Sequence, residues 1–436
     1  MANSPINRRQ FVKGATLASA AAITTTPLRA KPSASEKVVI GVMGLSRGLS
    51  LARGFQNQPN CEVKYVCDVD TTRLNAGIKS MEKATKHTPM GVTDFRKILD
   101  DNEVDALACA APNHWHGPAT ILGCKAGKHV YVEKPCSHNP HEGELMVRAA
   151  KKHKRVVQMG NQRRSWPGII EGIQLVRGGE IGDVYYSRSW YANTRGPTGK
   201  YQAASAPKNL NYDLWQGPAA RQPYQTNTVP YKWHWNWHWG NGELGNNGIH
   251  AIDLSRWGLG VDYPTRVTAG GGRYAFNDDQ QTPDTHMITL DFPGKKTIIW
   301  EGLSCNRHGI EGEKGGGFGA SFHGTKGTIV LSSTGYTLYT ATNRVKSEKA
   351  GKGDDGLHFA NFLQSIRSTG PDGPAVLPNS WIEGAHKSTL LCHLGNIAYR
   401  TGNVLNLDPS NGHIKDDSTA QALWKRQYAK GWEPVV

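Results

Sequence analysis

The sequence predicts an α/β protein of two unlike halves. A doubly wound parallel sheet with helices on both faces is expected over residues 36–160. An α+β domain on a large, open, mostly antiparallel sheet follows over 161–436. Three observations carry this. Before residue 160, short apolar runs alternate with helical patterns, the texture of parallel strands joined by crossover helices. After it, strand-like stretches lengthen, alternate and are separated by turns rich in Gly, Pro and Asn, as in half-solvated antiparallel sheets. No apolar run reaches the roughly 20 residues that a membrane helix needs, and 436 residues suffice for two buried cores. A soluble protein with no membrane insertion is therefore expected.

The run 38–42 reads as a buried strand, and Gly44-Leu45-Ser46-Arg47-Gly48 turns it into a helix. A second strand over 63–67 ends in Asp68, and a third covers 104–110 after a helix at 95–100. A helix at 118–126, a strand at 130–132, a helix at 140–154 and a strand at 156–159 complete this half. In the second half the strand candidates are 184–190, 286–292, 297–300 and 328–331. The helix candidates are 169–176, 250–257, 358–366 and 386–399. Residues 346–356 read as a mobile surface loop.

The first thirty residues read as an address. Arg8 and Arg9 precede Phe11, a modest apolar stretch follows, and Pro27-Leu28-Arg29-Ala30 suits cleavage. This resembles a twin-arginine export signal, so residues 1–35 are set apart from the fold. The twin-arginine translocation machinery is the expected partner and the periplasm the expected location. That route carries folded proteins, which suits a chain that acquires its cofactor before export.

The formal charge is +15, and removing the four cations of the first thirty residues leaves +11. The remaining Lys and Arg are scattered rather than gathered on an arm or helix, so nucleic-acid binding is not expected. The seven cysteines are odd in number and include no CxxC pair, which argues against a disulfide framework and against zinc. His234 and His238 have metal-like spacing but no acidic or cysteine cluster beside them, so no metal is expected.

The glycine turn after the first strand lets backbone amides approach a pyrophosphate at a helix N-terminus. It departs from GxGxxG, being one residue short with Ser46 in place of a glycine. Asp68, about twenty residues on, suits the ribose hydroxyls and would repel a 2′-phosphate, which favours NAD over NADP. Gly44, Ser46, Arg47, Gly48 and Asp68 are thus cofactor candidates in a Rossmann domain.

Ala111-Pro112-Asn113-His114-Trp115-His116 after the third strand, and Glu133-Lys134-Pro135 after the fourth, make the chain resemble the Gfo/Idh/MocA family of glucose–fructose oxidoreductase and inositol dehydrogenase. The resemblance spans about 37–400. It implies that Asn113, His116, Glu133, Lys134 and Gln162 reach the cofactor, that the lysine stands beside the nicotinamide, and that the proline peptide is often cis. It also implies pairing of subunits through the open sheet face, hence a homo-oligomer.

In the second half, Gly245-Asn246-Asn247-Gly248-Ile249-His250 stands where that family has Asp-x-Gly-x-His. His250 matches the family's acid/base on a substrate hydroxyl. Asn246, four residues earlier on the same helix face, replaces the aspartate. An amide cannot take a proton, so it can only orient substrate or His250. Trp233 to Trp239 alternates indoles with His234, Asn236 and His238. If extended, it puts four indoles on one face, and Trp235 and Trp237 become sugar-stacking candidates. Arg163, Arg164 and Tyr191 are further substrate candidates.

The resemblance implies an oxidoreductase that moves a hydride between a sugar or glycoside hydroxyl and a tightly held NAD, recycled in place because free NAD is scarce outside the cytosol. Two other functions stay open. One is redox-neutral glycoside hydrolysis through transient oxidation at C3, elimination, hydration and re-reduction. The other is a non-catalytic sugar sensor that keeps NAD as a structural part.

Overall fold

The computed structural model describes residues 37–308, 317–332 and 334–436. The twin-arginine segment lies outside the described residues. Residues 37–436 pack as one compact unit that contains two large sheets.

The first sheet has six strands: β1 (Val38–Met43), β2 (Cys61–Cys67), β3 (Met90–Val92), β4 (Ala106–Cys109), β5 (His129–Val132) and β6 (Val157–Met159). Their order is β3-β2-β1-β4-β5-β6 and every pairing is parallel. Ile40, Val42, Ala106, Leu107, Val130 and Val132 are fully buried, because helices cover both faces of a sheet wound in two directions from β1. The helix Thr71–Thr85 and β3 have no counterpart in the sequence reading. That helix buries only Leu74, Gly77 and Met81, too thin an apolar stripe to stand out, and is started by Asp70, whose carboxylate accepts from the amide of Arg73 at 3.1 Å.

The second sheet has ten strands. Eight are β7 (Val184–Ala192), β8 (Arg266–Gly272), β9 (Thr285–Phe292), β10 (Lys296–Leu303), β11 (Phe318–Gly324), β12 (Gly327–Ser332), β13 (Gly335–Thr340) and β14 (Val345–Lys349), and the short strands Leu405–Leu407 and Ile414–Lys415 close one edge. All pairings are antiparallel except β7 with β10. Ile249–Leu259 and Ile382–Thr401 pack on one face, where Ile288, Leu290, Ile298 and Phe322 are buried. On the other face Met287 is exposed, and Arg188 pairs with Glu301 at 2.9 Å.

Two expectations are corrected. Residues 345–349 are an edge strand rather than a loop, paired to β13 with every side chain exposed. Its alternating charges hid it, and charged residues are what keep an open sheet edge from pairing further. The helix Asp355–Arg367, though late in the chain, returns to the first sheet. There Phe359 packs on Phe55 at 4.6 Å, and Phe362 meets Tyr131 at 5.7 Å. All seven cysteines are free thiols, six of them buried. No described helix is long and apolar enough to cross a membrane.

Candidate active site

A cavity of about 580 Å³ lies where the ends of β1, β2, β4 and β5 face the second sheet's helices. Its floor is the turn after β1. Gly44 has φ +87°, and a Cβ there would lie 2.7 Å from the carbonyl oxygen of Ala110, so only glycine fits. The amides of Leu45 and Asp70 donate to the two carboxylate oxygens of Asp68 at 2.8 and 2.9 Å. Burial raises the Asp68 carboxyl, and those two amides oppose the rise. Gly44, Ser46, Arg47 and Asp68 line the cavity; Gly48 does not. A Cβ on Gly48 would meet Val42 and Ala110 at 3.2 and 3.3 Å, so this glycine seats the helix on β1 rather than touching a cofactor.

Glu133 and Lys134 of the Glu133-Lys134-Pro135 step line the same cavity, and the Lys134–Pro135 peptide is cis. Arg47 Nε donates to Glu133 Oε1 at 3.1 Å, and Gln162 Nε2 donates to the Tyr131 hydroxyl at 3.1 Å. The helix Asn113–Lys125 starts earlier than expected, so Asn113 and His116 lie in its first turn. Asn113 Nδ2 donates to Asn241 Oδ1 at 3.0 Å. The His116 ring lies between the carbonyls of Pro135 (2.6 Å) and Ala111 (2.7 Å), bracing the lysine's turn.

Lys134 Nζ donates to the backbone carbonyl of Asn246 at 2.6 Å and to its Oδ1 at 3.0 Å. Asn246 sits in a π-turn, Leu244–Gly248, that runs into the helix Ile249–Leu259; such wide turns recur at functional sites. Asn246 therefore positions Lys134, not His250. Burial pushes the Lys134 ammonium down from its usual range. His250 lines the same cavity. Burial, with the charges of Arg163 and Lys134, holds its imidazole well below the usual range, and its Nδ1 has no hydrogen-bond partner. A neutral ring of this kind can accept a proton.

The aromatic run is not extended. Lys232–Trp235 is a 3-10 turn, whose period of three breaks the two-sided alternation. Trp233 and His234 line the cavity. Trp235 is buried beneath Arg195, whose guanidinium lies 4.7 Å from its ring. Trp237 faces away from this cavity, beside Arg400 at 5.2 Å. Arg164 is committed to Asp253 through bonds of 2.8 and 2.7 Å. Arg163 lies over Phe318 at 3.9 Å, lowered to about 10 by burial. Neither arginine lines the cavity, whereas Tyr191 does.

Sequence reasoning missed Arg195, Asn193, Tyr231, His234 and Asn247, all of which line the cavity. Arg195 grips the buried Glu243 with contacts of 2.5 and 3.1 Å. His234 Nδ1 donates to the carbonyl of Tyr231 at 2.6 Å, and burial lowers this ring to about 3. His238 instead bonds the carbonyl of Ala220 at 2.8 Å, so the two histidines serve different surroundings. Only His234 and Asn247 fell inside a stretch already singled out; Arg195 belongs to no local pattern.

A strap from the second half crosses the cavity's Asp68 end. The amide of Thr71 donates to the carbonyl of Asn209, and that of Asn211 to the carbonyl of Val69, both at 2.9 Å. Asn209 Nδ2 donates to Asp70 at 2.8 Å. Trp115 Nε1 and His114 Nε2 hold the carbonyl of Trp215 at 3.0 and 2.7 Å. Leu210, Leu214 and Trp215 thus give the cavity an apolar wall.

These residues fit a nicotinamide dinucleotide: a side-chain-free cradle at Gly44, a carboxylate at the end of β2, and apolar walls between them. Asp68 would hold the ribose, the 44–47 turn the pyrophosphate, and Glu133, Lys134 and Gln162 the nicotinamide end.

Comparison with known proteins agrees. The model of the oxidoreductase family GFO_IDH_MocA, NAD-binding Rossmann fold, matches residues 36–161, and that of the GFO/IDH/MocA C-terminal domain matches 173–330. An oxidoreductase of Streptococcus pneumoniae is 24% identical over 302 residues, 67% of this chain and 71% of that protein. An alpha-N-acetylgalactosaminidase of Shewanella oneidensis is 23% identical over 211 residues, 43% of this chain and 46% of that one. The chain thus spans under half of the glycosidase relative. The structure of an aldose–aldose oxidoreductase of Caulobacter crescentus, in complex with glycerol, superposes with a TM-score of 0.63 at 19% identity, covering 85% of this chain and all of that one.

Proposed function

Because the chain belongs to the Gfo/Idh/MocA oxidoreductase family, we propose that it is an NAD-dependent oxidoreductase acting on a hydroxyl of a sugar or glycoside, with the cofactor held through the catalytic cycle. The observation that carries this is the meeting of Lys134, Asn246 and His250 in the cavity that also holds the glycine turn and Asp68.

When bound, the nicotinamide supplies the hydride acceptor. The chain's own residues manage the proton. His250, neutral through burial, takes it from the substrate hydroxyl. Lys134, aimed by the two Asn246 oxygens, stabilises the oxygen as negative charge develops. Arg195, fixed by Glu243, offers donors to neighbouring hydroxyls. Asp68 favours NAD over NADP. The strap over the Asp68 end supports slow cofactor exchange, which suits a protein exported by the twin-arginine route to the periplasm. A homo-oligomer through the open face of the second sheet completes this reading.

A second reading, redox-neutral glycoside hydrolysis, is favoured by His234 and by the glycosidase names among the relatives. Elimination beside a transient ketone needs a second base for a carbon-bound proton. His234 is a second neutral imidazole on the same cavity, with its Nδ1 proton committed to Tyr231. A sensor role would leave the Lys134 and His250 pair without a purpose.

One experiment separates the three. The purified protein is incubated with a panel of glycosides and no added cofactor. A keto sugar together with reduced bound cofactor supports the dehydrogenase. Bond cleavage with the cofactor's redox state unchanged supports the hydrolase. Saturable binding with neither product rejects both.

A further inference from the structure

Lys134 is aimed by the two oxygens of Asn246, but the His250 ring has no comparable guide. Its Nδ1 is buried without a hydrogen-bond partner among the described residues. The ring therefore stands where the helix Ile249–Leu259 puts it. That helix is fastened through Asp253, one turn beyond His250 and 1% exposed. Arg164 Nε and Nη2 donate to the two oxygens of this carboxylate at 2.8 and 2.7 Å. Ser388 Oγ donates to the same carboxylate at 2.6 Å and accepts from Arg256 Nε at 2.8 Å. Burial would raise the Asp253 carboxyl, but Arg164 outweighs it, so the group stays below its usual range and ionised. The Arg164 guanidinium also lies 4.7 Å from the Trp257 ring of the same helix.

Arg164 belongs to the 3-10 turn Gln162–Ser165, whose first side chain reaches the other way. Gln162 Nε2 donates to the Tyr131 hydroxyl at 3.1 Å and to Glu133 Oε1 at 3.4 Å. One short turn thus joins the Glu133 side of the cavity to the helix that carries His250. A buried ion pair is weak support for stability, because apolar residues of similar volume often serve a fold as well. What it adds is direction: a bidentate guanidinium–carboxylate fork fixes both distance and angle. Direction is what a proton acceptor with no partner of its own requires, since misplacement by about 1 Å can cost about 10²-fold in rate.

We propose that Arg164 and Asp253 are positioning residues, which fix His250 relative to Gln162 and Lys134 for proton removal from the substrate hydroxyl. Neither lines the cavity, so both act through His250 rather than on the substrate. This role rests on the oxidoreductase reading for the reaction it serves, though not for where His250 stands.

The test is the double variant Arg164→Met, Asp253→Leu, with Arg164→Lys beside it. The double variant replaces the pair by apolar residues of similar volume, so it should fold and melt close to the parent. Arg164→Lys keeps the charge and loses the fork, and it decides the matter if the double variant fails to fold. In the double variant kcat should fall about 10–100-fold while KM and NADH affinity stay within about twofold of the parent, and Arg164→Lys should lie between. The second readout needs no substrate: the titration of the His250 ring by NMR, identified as the resonance lost in His250→Asn. Burial and the charges of Arg163, Lys134 and Arg47 face this ring and hold it well below its usual range. With the pair loosened, its titration should move up toward about 6.5. Parental turnover in a folded variant that binds NADH, or a His250 titration unmoved in both variants, would overturn the positioning role. A parent that binds NADH yet acts on no glycoside would sink the oxidoreductase reading instead, and the His250 titration would still decide this one.

Discussion

Lys134 Nζ is held by both oxygens of Asn246, the backbone carbonyl at 2.6 Å and the side-chain Oδ1 at 3.0 Å. The lysine is therefore aimed by the second half of the chain although it is carried by the first. Lys134→Met should lower turnover by about 10²–10⁴-fold, the usual range for a positioned proton-handling group, with bound cofactor retained. Asn246→Ala keeps the carbonyl contact and loses only the side-chain one. Its loss should be the smaller, with the pH optimum displaced relative to the parent. Steady-state rates across pH on both variants check this, and equal losses would remove the positioning role.

Asp68 is expected to choose the cofactor. Its carboxylate stands at the end of β2 on the cavity wall, held by the amides of Leu45 and Asp70. Hydrogen bonds to a charged group are worth about 1.5–3 kcal/mol. Asp68→Asn keeps one acceptor for those amides while removing the charge that repels a 2′-phosphate. NAD affinity should fall by about tenfold or more, and NADP affinity should rise. Fluorescence titration with both reduced cofactors gives the ratio, and an unchanged ratio would count against the assignment.

The sequence made the parallel sheet and the Lys134 and His250 pair legible because both are local. Buried strands are short apolar runs, and the Glu-Lys-Pro and Asn-x-x-x-His signals each lie on one stretch of chain. What escaped is what needs distance. Arg195 meets Glu243 across 48 residues, the strap joins Asn209 to Asp70 across 139, and the helix Asp355–Arg367 returns to a sheet laid down far earlier. Asn246 and His250 both line the cavity, but the contact of Asn246 with Lys134 is across 112 residues and through a π-turn that the spacing does not announce. The tryptophan run misled for the converse reason: perfect alternation suggests a strand, but a 3-10 turn took it.

Acid should destabilise the fold well before its carboxylates titrate. Burial lowers His234, His286 and His393 to about 3, and His358 and His386 to about 4. Their unfolded value is about 6.5. Below that pH the unfolded chain binds protons that the folded one refuses, so stability is full above about 6.5 and falls as pH drops toward these folded values. Each such histidine costs about 1.4 kcal/mol per pH unit in that window. The melting temperature should therefore be flat from pH 8 to 7 and fall steeply between pH 6.5 and 5. A curve flat to pH 5 would mean that these rings are not held neutral.

The strap is expected to slow the exchange of a bound cofactor. Asn209 Nδ2 donates to Asp70 at 2.8 Å, and Leu214 lines the same cavity as Asp68. The backbone bridges of Thr71 and Asn211 remain in an Asn209→Ala, Leu214→Ala double variant, so the strap should still form, though held less firmly. A single side-chain hydrogen bond is worth about 0.5–1.5 kcal/mol. Release of bound NADH, followed by its fluorescence after a chase with excess NAD, should therefore quicken by about 3–10-fold while the melting temperature changes little. In the redox-neutral reading the cofactor must stay through both hydride transfers. Turnover on glycosides without added cofactor should then decay faster in the variant and be restored by added NAD. A parent that releases NADH as fast as the variant would assign the strap no part in retention, and external NAD would have to sustain the reaction.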